Sequence, residues 1–315
     1  MEFLHEEKVR SVLCYEDLLP AVEQALIGFS TGKIRQPLRS MMRIPEHEGI
    51  LGIMPAADGD FIGVKLVTVY ERNVTEPTHQ AVIQLLSART GEPLVAMDGR
   101  LITEMRTAAV SAVATKLLAR RDARVLAILG SGVQARSHVR ALRLVREFDE
   151  VQVWSRTAEH ARRFAEEIGA TAMLTAEAAV RGADVVVSAT STHDPLVRGA
   201  WLAEDTLVCA VGAVGPDKRE LDDAAMRGQI VVESREAAAR ESADVIGSGA
   251  TVSAELGELL AGVKKLPEND GWVVFKSLGI GATDLAAARL VWERSGDSNR
   301  NRVCGASGPA AESPG

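Results

Sequence analysis

The sequence predicts an α/β protein built on a doubly wound parallel sheet, with a second, strand-rich unit before it. Three observations predict this. After Val125, apolar runs of four to six residues alternate with helical periodicity, the rhythm of stacked βαβ units. Residues 129–135 read Leu-Gly-Ser-Gly-Val-Gln-Ala and stand between such a run and a helix. Before residue 100, five strand-like runs follow one another with no helix between them, which calls for an antiparallel or mixed sheet.

Taken in order, the first element is a helix over 15–33. Leu18, Leu19, Val22, Ala25, Leu26 and Phe29 recur at three- and four-residue steps, with Asp17 as N-cap and Gly32 as stop. The strand-like runs are 37–44, 49–54, 61–70, 79–87 and 94–97, separated by turn signals at 57–60 and 89–93. An Ala-rich helix is expected over 103–120, with Thr103 as N-cap. Strands then fall at 125–129, 151–154, 184–189, 207–211 and 230–233, with helices at 137–147 and 158–168. A polar break at 265–271 closes this segment. A short strand at 273–275 and a last helix at 281–294 follow it. Residues 295–315 are rich in Ser, Gly, Asn and Pro without periodicity and read as a disordered tail.

Composition narrows the function. The 315 residues give a prior of about two domains. A net charge of −7 makes a general polyanion binder a poor reading, so no nucleic-acid partner is expected. No apolar run approaches the roughly 18 residues of a membrane span, and the N-terminal residues lack the pattern of a secretion signal. The expectation is a cytoplasmic enzyme. Cys14, Cys209 and Cys304 are far apart and show neither a disulfide framework nor metal-ligand spacing, so no metal is expected.

The sharpest motif is Gly130-Ser131-Gly132-Val133-Gln134-Ala135. Gly130 permits the tight turn, Gly132 lets the backbone approach a pyrophosphate, and Ala135 allows close helix–strand packing. A βα turn that binds nothing is the bland alternative. The next strand ends Trp154-Ser155-Arg156-Thr157, with no carboxylate to bond a ribose 2′-hydroxyl. Arg156 can pair with a 2′-phosphate while Ser155 and Thr157 donate hydrogen bonds, so NADPH is the expected cofactor, with NADH possible.

Further motifs carry a family resemblance. They are Gln36-Pro37-Leu38-Arg39, Gly52-Ile53-Met54-Pro55-Ala56, Gly63-Val64-Lys65-Leu66-Val67-Thr68, Met97-Asp98-Gly99 and Arg106-Thr107-Ala108-Ala109-Val110-Ser111-Ala112. After the glycine motif come Ala210-Val211-Gly212-Ala213, Ala254-Glu255-Leu256-Gly257-Glu258 and Phe275-Lys276-Ser277-Leu278-Gly279. In this order they resemble the ornithine cyclodeaminase and mu-crystallin family from about Tyr15 to Arg294, and the chain looks closer to mu-crystallin-like members. The resemblance implies a homodimer. It also implies a Rossmann-type sheet (116–271) inserted in an α+β substrate-binding and dimerisation domain (1–115 plus 272–294).

The resemblance implies that Arg39 and Arg106 bind a substrate carboxylate, where a planar fork meets a planar anion. Lys65 matches the active-site lysine, and a desolvated lysine beside arginines has a lowered pKa suited to proton transfer. Met54, His79, Gln80 and Val214 fall in the implied substrate pocket. Val133, Gln134, Thr190, Val211, Gly212, Lys218 and Ser277 join the cofactor set.

One departure is informative. Cyclodeaminases carry an aspartate at the position of Val214, where it is thought to deprotonate the substrate amine before ring closure. Valine cannot accept a proton, and Asp217, three residues on, is not expected to replace it. The remaining chemistry is hydride delivery to a preformed cyclic imine. The expected activity is therefore reduction of 1-pyrroline-2-carboxylate or 1-piperideine-2-carboxylate to L-proline or L-pipecolate. Ornithine cyclodeamination, an alanine-dehydrogenase-like reaction and a non-catalytic ligand-binding role are the alternatives.

Overall fold

The computed structural model describes residues 1–215, 217–268 and 271–296. The first unit contains strand β1 (Glu2–Leu4), helices α1 (Glu6–Val12) and α2 (Tyr15–Ser30), strands β2 (Ser40–Ile44), β3 (Gly49–Asp58), β4 (Phe61–Tyr70), β5 (His79–Ser87) and β6 (Pro93–Asp98), and helix α3 (Arg100–Leu118). Its six-stranded sheet has the order β1-β6-β5-β4-β3-β2. Strands β2 to β6 pair antiparallel, and β1 adds in parallel to β6. The mixed sheet expected from the run of strands is therefore present.

The second unit runs β7 (Val125–Leu129), α4 (Val133–Leu142), β8 (Glu150–Trp154), α5 (Ala158–Ile168), β9 (Thr171–Ala172), α6 (Ala176–Val180), β10 (Val185–Ser188), β11 (Leu207–Ala210), β12 (Gln229–Val232), α7 (Arg235–Glu241), α8 (Ala243–Ser248), β13 (Val252–Glu255), α9 (Leu256–Leu260) and β14 (Val273–Lys276). Its eight strands pair in parallel in the order β13-β12-β14-β11-β10-β7-β8-β9. Helix α10 (Gly281–Ser295) then returns to pack on α2, β3 and β4.

This second sheet is buried on both faces, as a parallel sheet must be. Leu126, Ile128, Val185, Val187, Leu207, Cys209 and Phe275 enter one core, and Ala127, Leu129, Val186, Val208, Ala210 and Val274 enter the other. The first core continues into the N-terminal unit through α3, whose residues Arg106–Thr115 are all buried. Its small side chains let it be covered on every side, which joins the two units.

Several sequence expectations are corrected. Helix α2 is capped by Cys14, and Asp17 lies in its first turn, where it accepts a hydrogen bond from the Cys14 thiol and pairs with Arg294. Helix α3 starts at Arg100, not Thr103, because Asp98 Oδ1 accepts the Arg100 N–H at 2.9 Å. Helix α4 starts four residues earlier than expected, directly after Gly132. Strand β14 lies between β11 and β12, so Val273–Lys276 joins the second sheet and does not follow it. Residues 297–315 of the expected tail lie outside the described residues.

Candidate active site

The strand order reverses between β7 and β10, so a crevice opens at their carboxyl ends. Gly130 closes β7 with φ +120°, and a Cβ there would lie 2.6 Å from the Ala189 carbonyl oxygen, so no other residue fits. Gly132 is the N-cap of α4 and has open space where a side chain would stand. Ala135 is buried beneath. The first N–H groups of α4 have no intrahelical partner, and the helix dipole favours an anion there.

Next to this turn, Ser131 Oγ donates to Ser155 Oγ at 3.0 Å. Arg156 and Thr157 are exposed, and Arg156 makes no ion pair among the described residues. Gln134 Oε1 and Thr190 Oγ1 are buried without a hydrogen-bond partner. Such orphaned acceptors and donors need a ligand or water. Val211 and Gly212 follow β11, and Glu220 Oε2 accepts the N–H groups of Gly212 and Ala213. Together with the exposed Val133, an open glycine cradle, unsatisfied polar atoms and an exposed guanidinium at or just after the carboxyl ends of β7, β8, β10 and β11 fit a dinucleotide.

A second cluster lies in the N-terminal unit. Lys65 of β4 faces inward between Met54 and Ile83, its cross-strand partners, and all three are almost fully buried. Asp284, in the first turn of α10, places Oδ2 2.6 Å from Lys65 Nζ and accepts Arg106 Nε on Oδ1 at 2.9 Å. Burial pushes the Lys65 ammonium down to about 7 against the pull of Asp284, with Arg106 and Arg39 adding to the fall. Arg106 Nη1 is buried with no partner.

Arg39 approaches from the segment before β2. Its Nη2 donates to the carbonyls of Leu278 (2.8 Å) and Gly279 (3.0 Å), and its Nε lies 2.8 Å from Glu241 Oε2. Burial raises the Glu241 carboxyl above its usual range, with Arg39 pulling the other way. Gln36, Leu38, Arg39, Met54, Glu241 and Gly279 line a cavity between the two units.

The remaining expected residues lie apart from this cluster. His79 is exposed at the start of β5, with Thr78 Oγ1 3.1 Å from its Nδ1. Gln80 pairs with Thr68, and strand alternation places it on the face opposite Lys65. Val214 is 37% exposed, in the loop after β11. Lys218 pairs with Glu71 across the two units. Ser277 Oγ donates to Glu233 at 3.1 Å. Lys276 is buried 3.1 Å from Glu220 and 3.0 Å from Asp244; burial pulls its pKa down, but the two carboxylates outweigh it and hold the ammonium above its usual value.

Sequence reasoning missed Asp284 and Glu241. Asp284 had a visible signal: it is the one charge in the Ala-rich stretch 281–288, the same kind of signal that singled out Arg106. Glu241 had none, because Arg240-Glu241-Ser242 reads as an ordinary surface segment. Among the described residues no group of three or more His, Cys, Asp or Glu is arranged to hold a metal, and no helix is long and apolar enough to cross a membrane.

Comparison with known proteins agrees with this architecture. The mouse ketimine reductase mu-crystallin is 44% identical over 302 residues, covering 92% of this chain and 96% of that protein. The Thermococcus litoralis Δ1-pyrroline-2-carboxylate reductase, solved in complex with NADH and L-proline, superposes with a TM-score of 0.90 at 34% identity, covering 94% of this chain and 98% of that one. An archaeal alanine dehydrogenase, solved as a dimer with bound NAD, superposes at 0.89 with 32% identity, covering 95% and 97% of the two chains. The model of the ornithine cyclodeaminase/mu-crystallin family matches residues 1–299, and the chain belongs to that family.

Proposed function

We propose that this chain is an NAD(P)H-dependent reductase of cyclic ketimine carboxylates, converting 1-pyrroline-2-carboxylate to L-proline, 1-piperideine-2-carboxylate to L-pipecolate, or both. The observation that carries this reading is the buried cation cluster. Arg106 keeps Nη1 buried and unpartnered while Asp284 holds its Nε, and Lys65 shares the same carboxylate. A planar substrate carboxylate supplies the missing acceptor. The mouse ketimine reductase and the T. litoralis pyrroline-carboxylate reductase carry names that state such substrates.

The reaction needs a hydride for the imine carbon, which a reduced nicotinamide nucleotide supplies when bound in the crevice of Gly130, Gly132 and Thr190. Arg106, Lys65 and Arg39 hold the carboxylate, and Asp284 fixes the first two so that the ring is oriented. The ring nitrogen enters as the protonated imine, which makes the carbon electrophilic, and Glu241, paired with Arg39, lines the same cavity. Carbon gains a hydride and nitrogen gains a proton, so C=N becomes CH–NH. Val214 offers no base for deprotonating an open-chain amine, which disfavours cyclodeamination.

Arg156, exposed and unpaired, with Ser155 and Thr157 beside it, supports a preference for NADPH over NADH. The domain reading is a substrate unit of residues 1–118 plus 277–296 and a nucleotide unit between them. A homodimer is supported by the outer face of the first sheet, where Ile53, Leu66 and Val82 are cross-strand neighbours left 36–44% exposed, with Met42 at 55%. Leu66→Glu is expected to shift the chain to monomer in sedimentation equilibrium.

The test is product identity. Incubation with NADPH and either imine, followed by chiral chromatography, is expected to yield the L-amino acid. Absence of both products overturns the reading.

A further inference from the structure

We propose that Glu233 is a positioning residue for the substrate-carboxylate clamp, acting through the Ser277–Gly279 loop. The proposal rests on the reading of Arg39 and Arg106 as carboxylate ligands.

Glu233 directly follows β12, beside the end of β14, and is 2% exposed. Among the described residues no lysine or arginine pairs with it. Its three side-chain hydrogen bonds among the described residues go instead to one loop. Oε2 accepts the N–H groups of Leu278 (2.8 Å) and Gly279 (2.9 Å), and Oε1 accepts the Ser277 hydroxyl (3.1 Å). A buried carboxylate is costly unless its lone pairs are satisfied, and here the donors come from the loop backbone itself.

The other side of the same loop faces the two guanidinium groups. Leu278 and Gly279 present their carbonyls to Arg39 Nη2. Gly279 has φ +76°, and a Cβ there would lie 2.6 and 2.7 Å from Arg106 Nη1 and Nη2. The absence of a side chain lets Arg106 lie against the backbone.

Peptide geometry couples the two sides. In a trans peptide the carbonyl and the following N–H point in opposite directions. With the Gly279 N–H tied to Glu233, the Leu278 carbonyl is directed away from Glu233 and toward Arg39. Removing the carboxylate frees two buried N–H groups and lets this peptide rotate. Arg39 then loses the acceptors that hold its fork and keeps only Glu241. Glu233 therefore sets the clamp without touching the substrate.

The experiment measures binding of pyrrole-2-carboxylate, an unreactive planar ring acid, to the NADP⁺-loaded protein by titration calorimetry, beside the affinity for NADPH. Glu233→Ala is expected to weaken the ring acid about 10- to 100-fold, the scale of a small misplacement of binding groups. NADPH affinity is expected to stay within about twofold. Glu233→Gln keeps one acceptor oxygen for the two N–H groups and is expected to restore most of the loss. Should Glu233→Ala fail to fold, Glu233→Asp, one methylene too short to reach both N–H groups, carries the same expectation. Equal loss of ring acid and nucleotide, or unchanged binding of the ring acid, overturns the proposal. Wild-type protein that binds NADPH but no ring acid overturns instead the underlying reading of Arg39 and Arg106.

Discussion

The nucleotide crevice and the cation cluster are built in opposite ways. The crevice comes from contiguous residues. Gly130 to Ala135 form one turn and the start of one helix, and Ser155 to Thr157 directly follow the next strand. Its chemistry is backbone N–H groups left open to solvent. The cluster comes from distant segments: Arg39 precedes β2, Lys65 lies on β4, Arg106 on α3, Glu241 on α7 and Asp284 on α10. Its chemistry is charge held in a buried place. The first site needs only a local conformation, whereas the second needs the whole fold. Damage to the first should therefore change binding, and damage to the second should change stability as well.

The largest expected effect is at Asp284. Asp284→Ala leaves Lys65 and Arg106 buried without their shared counter-ion, which costs about 3–5 kcal/mol and removes activity. Urea unfolding beside an imine-reduction assay checks both. A variant that is inactive but as stable as wild type would break the comparison.

Gly130→Ala is the matching lesion in the crevice. Its φ of +120° and the nearby Ala189 carbonyl force a local shift, so nucleotide affinity should fall by about tenfold or more. Binding of pyrrole-2-carboxylate should keep its Lys65 and Arg106 contacts. Equal loss of both ligands would show that the two sites are not separable in this way.

A pH profile sharpens the contrast further. Lys65, brought down to about 7 by burial, is an ammonium below that pH and a neutral amine above it. If it holds the substrate carboxylate, kcat/KM for the imine falls as pH rises through about 7. In Lys65→Arg the guanidinium stays charged, and the fall near 7 should disappear. A limb near 7 that survives in Lys65→Arg belongs to another group.

The smallest effect concerns cofactor choice. Arg156→Ala should lower the NADPH-to-NADH ratio of kcat/KM by about tenfold, with the NADH value nearly unchanged. An unaltered ratio makes Arg156 a solvated surface charge.

The same contrast explains what could be read from the sequence. Periodicity and turn residues located most strands, because those signals are local: β4, β5 and α5 begin and end where the pattern places them. Helix starts were misplaced where a side chain outside the pattern does the capping, as Asp98 does for α3. Strand β14 was recognised, but chain order does not reveal that it inserts between β11 and β12. Lys65, Arg39 and Arg106 were visible through family motifs. Their partners Asp284 and Glu241 depend on contacts across the fold, and Glu241 left no trace in the sequence.

The most direct measurement follows NADPH absorbance with 1-pyrroline-2-carboxylate, run beside L-ornithine plus NAD with ammonia detection. The account predicts rapid NADPH loss with the imine and no ammonia from ornithine. Ammonia release from ornithine, with no reduction of the imine, would contradict it and show that another group does the work the valine at 214 cannot.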